Sequence, residues 1–76
     1  IVINEGVTTI GTSAFEGCTS ITSVSIPSTI TTIGSTAFYN CTGLETINVD
    51  MTEAKWNAVT KGSNWNRNVN AKIVFK

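Results

Sequence analysis

The sequence predicts an α/β repeat solenoid, on three observations. Residues 7–29 (VTTIGTSAFEGCTSITSVSIPST) and 30–52 (ITTIGSTAFYNCTGLETINVDMT) are two copies of one 23-residue repeat. They share Thr8/Thr31, Thr9/Thr32, Ile10/Ile33, Gly11/Gly34, Ala14/Ala37, Phe15/Phe38, Cys18/Cys41, Thr19/Thr42 and Thr29/Thr52, and elsewhere mostly exchange one aliphatic or one small polar residue for another. A period in the twenties with fixed apolar positions is the signature of stacked coils, each burying its apolar face against its neighbours. Each repeat also contains an aliphatic alternation, Val24-x-Ile26 and Ile47-x-Val49, which is the period of a strand with one buried face. At Asp50 the repeat breaks and a helix-like segment begins.

The elements follow in chain order. Ile1 and Ile3 align with Val24 and Ile26, so the chain opens in mid-repeat, on a strand, and reads as part of a longer array. Val7-x-x-Ile10-Gly11 and Ile30-x-x-Ile33-Gly34 form a second apolar station, whose glycine is expected to turn with positive φ. Ala14-Phe15-x-x-Cys18 and Ala37-Phe38-x-x-Cys41 have the i, i+3 spacing of a single 3₁₀ or α turn. Thr12, Ser13, Ser35 and Thr36 precede those turns as caps. Residues 1–3, 24–26 and 47–49 are then expected to pair as a parallel sheet, neighbours about 4.8 Å apart.

Asp50-Met51-Thr52-Glu53 reads as a capping box opening a helix over about 53–61, with Trp56 and Val59 on one face, Lys61 in its last turn and Gly62 as its stop. A polar loop over 63–70 carries Trp65, and residues 71–75 form a last strand. The organisation is therefore repeats over 1–49 (a partial coil, then 7–29 and 30–52) and a divergent closing unit over 50–76, within one small domain whose core is marginal for 76 residues.

Five basic and five acidic residues give zero net charge. The acids (Glu5, Glu16, Glu45, Asp50, Glu53) all precede the bases (Lys55, Lys61, Arg67, Lys72, Lys76). This segregation reads either as a difference in composition between the repeats and the closing unit or as an end-to-end dipole that favours head-to-tail stacking. Zero net charge argues against nucleic acid, which needs a basic face. No apolar run approaches the ~18 residues of a membrane span, so no membrane insertion is expected.

The string I-G-x-x-A-F-x-x-C-x-x-[IL]-x-x-[IV]-x-[IV] occurs at 10–26 and again at 33–49. It resembles the BspA-type leucine-rich repeats of bacterial surface antigens. The stretch Lys55-Trp56-Asn57-Ala58-Val59 with Gly62-Ser63-Asn64-Trp65 is similar to an irregular unit that accompanies such arrays. The resemblance implies a right-handed leucine-rich-repeat coil, with a short parallel β-sheet on the concave face and short helical turns on the convex face. It also implies an extracellular or cell-surface location and binding to host or matrix proteins. Many leucine-rich repeats place an asparagine three residues after the last strand aliphatic, where it bonds backbone along the stack. Here Thr29 and Thr52 stand in its place, with less reach.

Little in the sequence points to chemistry. There is no histidine, so general acid–base catalysis lacks its usual group. Glu45, Asp50 and Glu53 straddle a strand end and a helix start, and capping and solvation account for them. Cys18 and Cys41 fall short of a zinc site, leaving core thiols or a disulfide between stacked positions. Asn40-Cys41-Thr42 is a formal glycosylation sequon, incidental if Cys41 points inward. Trp56 and Trp65 are either sugar-stacking platforms or the cover of the last coil. No catalytic, cofactor-binding or metal-binding residue is assigned, and no cofactor is expected. The candidate binding face is the outward row of the sheet: Asn4, Ser23, Ser25, Thr46, Asn48 and Lys72, flanked by Val2 and Val74.

The expected function is a non-catalytic protein-binding or adhesion module, with a structural spacer as the alternative. The exposed strand at Ile1–Ile3 is expected to support self-association.

Overall fold

The structure, a computed structural model, describes residues 1–75. Seven elements follow one another: β1 (Thr9–Ile10), β2 (Ser23–Ile26), β3 (Thr32–Ile33), β4 (Thr46–Val49), α1 (Glu53–Ala58), β5 (Thr60–Lys61) and β6 (Lys72–Phe75). They form two open three-stranded parallel sheets, ordered β1-β3-β5 and β2-β4-β6. The register reproduces the sequence period: Thr9 faces Thr32, and Val24 faces Ile47. Residues 1–3 reach β2 through one bridge, Val2 to Ser25, flanked by bonds from the Ile3 amide to the Ser25 carbonyl (3.0 Å) and from the Ser25 amide to the Ile1 carbonyl (2.9 Å).

Because identical positions meet, like packs on like. Val24 and Ile47 share a buried column, as do Ile26 and Val49, and Ile73 and Phe75 extend these columns half-buried. The Phe15 and Phe38 rings stack with centroids 5.2 Å apart and planes 7° from parallel. Phe38 is fully buried, in a core that contains no buried polar side chain among the described residues.

Where short helical turns were expected, the chain forms overlapping hydrogen-bonded turns instead. Ala14, Glu16 and Cys18 amides close local turns onto Gly11, Ser13 and Phe15, while the alternate amides of Ser13, Phe15 and Gly17 bond the carbonyls of Ser35, Ala37 and Tyr39 in the next repeat. Ser13 (φ 58°), Thr36 (φ 54°) and Asn64 (φ 57°) are left-handed, as are Gly17, Asn40 and Asn68 four residues on, and no right-handed helix continues through such residues. Ser13 and Thr36 therefore cap nothing. Their hydroxyls bond each other across the repeat at 2.7 Å.

The glycines after the second station also differ from expectation. Among glycines only Gly6 and Gly17 have positive φ. A Cβ on Gly34 would lie 2.5 Å from the Thr12 amide nitrogen, and one on Gly62 2.4 Å from that of Ser35. Glycine is needed there for the close approach of the neighbouring backbone rather than for its dihedral freedom.

The last unit is a third repeat in disguise. Helix α1 is shorter than the expected 53–61, because Thr60 and Lys61 leave it to pair with Thr32 and Ile33 as β5. Its N-cap is Thr52, whose hydroxyl accepts the Lys55 amide at 3.2 Å, and not Asp50, whose own amide bonds the Ile26 carbonyl at 2.9 Å. Gly62 continues the column of Gly11 and Gly34 instead of stopping the helix, and the expected loop over 63–70 repeats the turn pattern. Thr36, Phe38 and Asn40 amides donate to the carbonyls of Ser63, Trp65 and Arg67. Thr60 lies 28 residues beyond Thr32 but Lys72 only 26 beyond Thr46, so this unit gains residues at α1 and loses two before β6.

Candidate binding face

The pleat of β2-β4-β6 sends alternate side chains away from the core. Ser23, Thr46 and Lys72 stand in one outward column, and Ser25, Asn48 and Val74 in the next, which Val2 extends through its bridge. Five of the six expected residues, Ser23, Ser25, Thr46, Asn48 and Lys72, thus lie side by side. Asn4 does not join them. It lies beyond the bridge in a turn, its carbonyl accepting the Val7 amide at 3.2 Å.

An open groove of about 390 Å³ runs along one end of this row, lined by Ser25, Ile26, Asn48, Val49, Asp50, Val74 and Phe75. A second depression beside it shares Ser25, Ile26 and Asp50 and adds Asn4, Glu5 and Pro27. The face thus combines hydroxyls and an amide over most of its area, one exposed ammonium at Lys72, and two carboxylates at one end. Glu5, Asp50 and Phe75 were not anticipated here, because the groove forms past the ends of the alternating strand pattern. These groups offer adaptable hydrogen bonds but no tryptophan, tyrosine or arginine anchor.

The other singled-out side chains are absorbed by packing. Cys18 and Cys41 are free thiols. The Cys41 thiol donates to the Phe15 carbonyl at 3.0 Å, and burial pushes its pKa above the ordinary value. Trp56 is 3% exposed and meets Trp65 edge-on at 5.8 Å, while Trp65 meets Phe38 at 6.3 Å. Trp65 takes the column of Ala37, so its ring covers Phe38 from beside the phenylalanine position. Lys61 occupies the isoleucine column, yet its Nζ turns to the carbonyls of Trp56 (2.7 Å) and Val59 (3.2 Å) and sits 4.4 Å from the Trp56 ring centroid. Burial lowers its pKa. The Asn40 side chain accepts from Asn68 Nδ2 at 2.6 Å.

Of the two threonines in the asparagine position, Thr29 bonds backbone along the stack, its Oγ1 accepting the Gly6 amide at 3.1 Å and donating to the Val7 carbonyl at 2.7 Å, whereas Thr52 caps α1. Among the described residues no three His, Cys, Asp or Glu side chains come together, and no helix is long and apolar enough to cross a membrane.

Residues 1–69 match a family model described as the BspA type leucine rich repeat region (6 copies). The match runs past the expected boundary at residue 49 and through the third turn region. No curated protein and no solved structure matches the chain.

Proposed function

The chain belongs to the BspA-type leucine-rich repeat family, and from that premise we propose that it is a non-catalytic adhesion or protein-binding module of a bacterial surface or secreted protein. The repeats wind as a right-handed solenoid with the β2-β4-β6 sheet on its concave side, and the outward columns of that sheet meet the partner. The observation that carries this reading is the pair of columns itself. Ser23, Thr46 and Lys72, beside Ser25 and Asn48, offer small polar groups at strand spacing that the core does not use. Without a tryptophan, tyrosine or arginine anchor each contact is weak, and affinity grows through repetition.

The test is a panel of host matrix proteins, immobilised and probed with wild type and with the Ser25→Glu/Asn48→Glu double variant. Ser25 is half-buried and Asn48 exposed, and both side chains point away from the core. The expected result is binding by the wild type and its loss in the variant, with an unchanged circular dichroism spectrum. Equal binding by both excludes this face.

A further inference from the structure

We propose that Cys18 and Cys41 are a redox pair, which closes into a reversible disulfide between the first repeat and the second when a low-molecular-weight disulfide is present. This inference is independent of the binding face above.

The backbone stacks the two positions. The amides of Ser13, Phe15 and Gly17 bond the carbonyls of Ser35, Ala37 and Tyr39 at 3.0, 2.8 and 2.8 Å, so each residue of the first turn region lies over its equivalent in the second. Three residues before the cysteines, the same register stacks the ring of Phe15 on that of Phe38. Neighbouring coils advance by about 4.8 Å, and a disulfide joins Cα atoms about 4.4–6.8 Å apart. The two thiols can therefore meet without a change in the path of the chain.

The Cys41 sulfur already lies against the first repeat. Its thiol donates to the Phe15 carbonyl at 3.0 Å, and the Cys18 amide donates to that same oxygen at 3.1 Å. The electrostatics agree with this proximity. Burial is the main cause of the raised Cys41 pKa, the Cys18 amide opposes it, and the Cys18 thiol adds to it.

Packing alone does not require sulfur here. The column continues at Val69, whose amide bonds the Asn66 carbonyl as the Cys41 amide bonds Phe38 and the Cys18 amide bonds Phe15. Val69 packs against the same core, so an aliphatic side chain fills the site. Cys18 and Cys41 are the only cysteines of the chain, and neither has a competing partner within it. Both repeats that hold the pair are present in the chain. A further repeat stacked on the first would cover Cys18 more deeply and leave the two sulfurs beside each other.

The exchange has two steps. Cys18 is half-buried and Cys41 fully buried, so Cys18 reacts first in this chain. It loses its proton, and its thiolate attacks one sulfur of the small disulfide, whose S–S bond breaks to release one small thiolate. The Cys41 thiolate then attacks Cys18 Sγ in the mixed disulfide, forming the internal bond and expelling the second small thiolate. The two protons given up by the cysteines end on the two released thiols. The pair is oxidised by two electrons, and the small disulfide is reduced by them. Side chains of one column point the same way, so the Cβ atoms start about as far apart as the Cα atoms, whereas a disulfide prefers about 3.5–4.5 Å. The bridge thus draws the coils together and is strained and easily reduced. It closes a loop from residue 18 to residue 41 that contains β2 and β3, and so constrains the unfolded chain. The resistance of these repeats to unfolding then follows the thiol–disulfide balance of the surroundings.

The test incubates the folded, intact chain with oxidised glutathione in the absence of denaturant. The expected product is a monomer with no titratable thiol, an intact mass lower by two hydrogens, and a proteolytic map that joins Cys18 to Cys41. Its unfolding constant in urea should be about tenfold or more below that of the reduced protein. Dithiothreitol should return both thiols and the reduced midpoint. Cys41→Ser should stop at a glutathione adduct on Cys18, with no gain in stability over its untreated form. Thiols that persist, adducts or intermolecular bridges in place of the internal bond, or a bridged chain no more stable than the reduced one would each overturn the proposal. A bridge that dithiothreitol fails to open in the folded protein overturns its reversibility.

Discussion

At the scale of single residues, the molecule depends on groups that reach across the repeat rather than along it. Thr29 bonds the Gly6 amide and the Val7 carbonyl, 23 and 22 residues before it. Thr29→Val keeps the shape and removes both bonds, and should cost about 1–2 kcal/mol in urea unfolding. Gly34→Ala forces a Cβ into the Thr12 backbone and should cost about 2–3 kcal/mol, whereas Gly11→Ala should be neutral or stabilising by about 0.4–1 kcal/mol. Cys41 gives a pH signature. Its pKa is raised in the fold, so its stabilising share is complete below the unfolded value of 9.0 and is lost as pH rises through the folded value. The stability advantage of wild type over Cys41→Ala should therefore shrink above pH 9. Lys61 shifts in the opposite sense, but it is common to both proteins and cancels in the difference.

At the scale of elements, two-residue strands persist because each is tied into a register fixed by its neighbours, not by its own propensity. The short helix α1 depends on its ends. Thr52 caps one, and Lys61 reaches back from β5 to the carbonyls of Trp56 and Val59 at the other. Thr52→Ala should cost about 1 kcal/mol. The strands of the first two repeats were legible in the sequence because their aliphatics keep both period 2 and period 23. The last unit was legible as a divergent closing coil whose final strand continues the sheet, Ile73 beside Ile47, but its β5 strand and its turn region were not, for physical reasons visible in its residues. Lys61 stands in an isoleucine column because its stem packs while its ammonium finds carbonyls and a ring. Trp65 fills the phenylalanine site from the alanine column, and α1 shifts the spacing from 23 to 28. The surviving signal was Gly62-Ser63 after Thr60, echoing Gly34-Ser35 after Thr32. The turn regions misled for a different reason: an i, i+3 spacing suits a helical turn and a chain of β-turns equally, and the left-handed Ser13 and Thr36 decide for the latter.

At the scale of the whole molecule, stability is a sum over neighbours, and the middle repeat carries most of it. Phe38, Ile33 and Ile47 are each 1% exposed or less because they have a repeat on both sides. Removing residues 50–76 strips Trp56 and Trp65 from that core, and the shortened chain should show no cooperative thermal transition. The outward row of the candidate face was legible because strand pleat alone assigns Ser23, Ser25, Thr46, Asn48 and Lys72. Asn4 stands outside the paired columns because the bridge at Val2 ends the pairing before reaching it, and it lines the depression beside Ser25 instead. The account as a whole requires that equivalent residues of successive repeats stand one above another. The most direct measurement is a proton NOESY spectrum of the chain at low concentration. Ring-to-ring cross-peaks between Phe15 and Phe38, whose centroids lie 5.2 Å apart, are the predicted result. Assigned rings without such cross-peaks would contradict it.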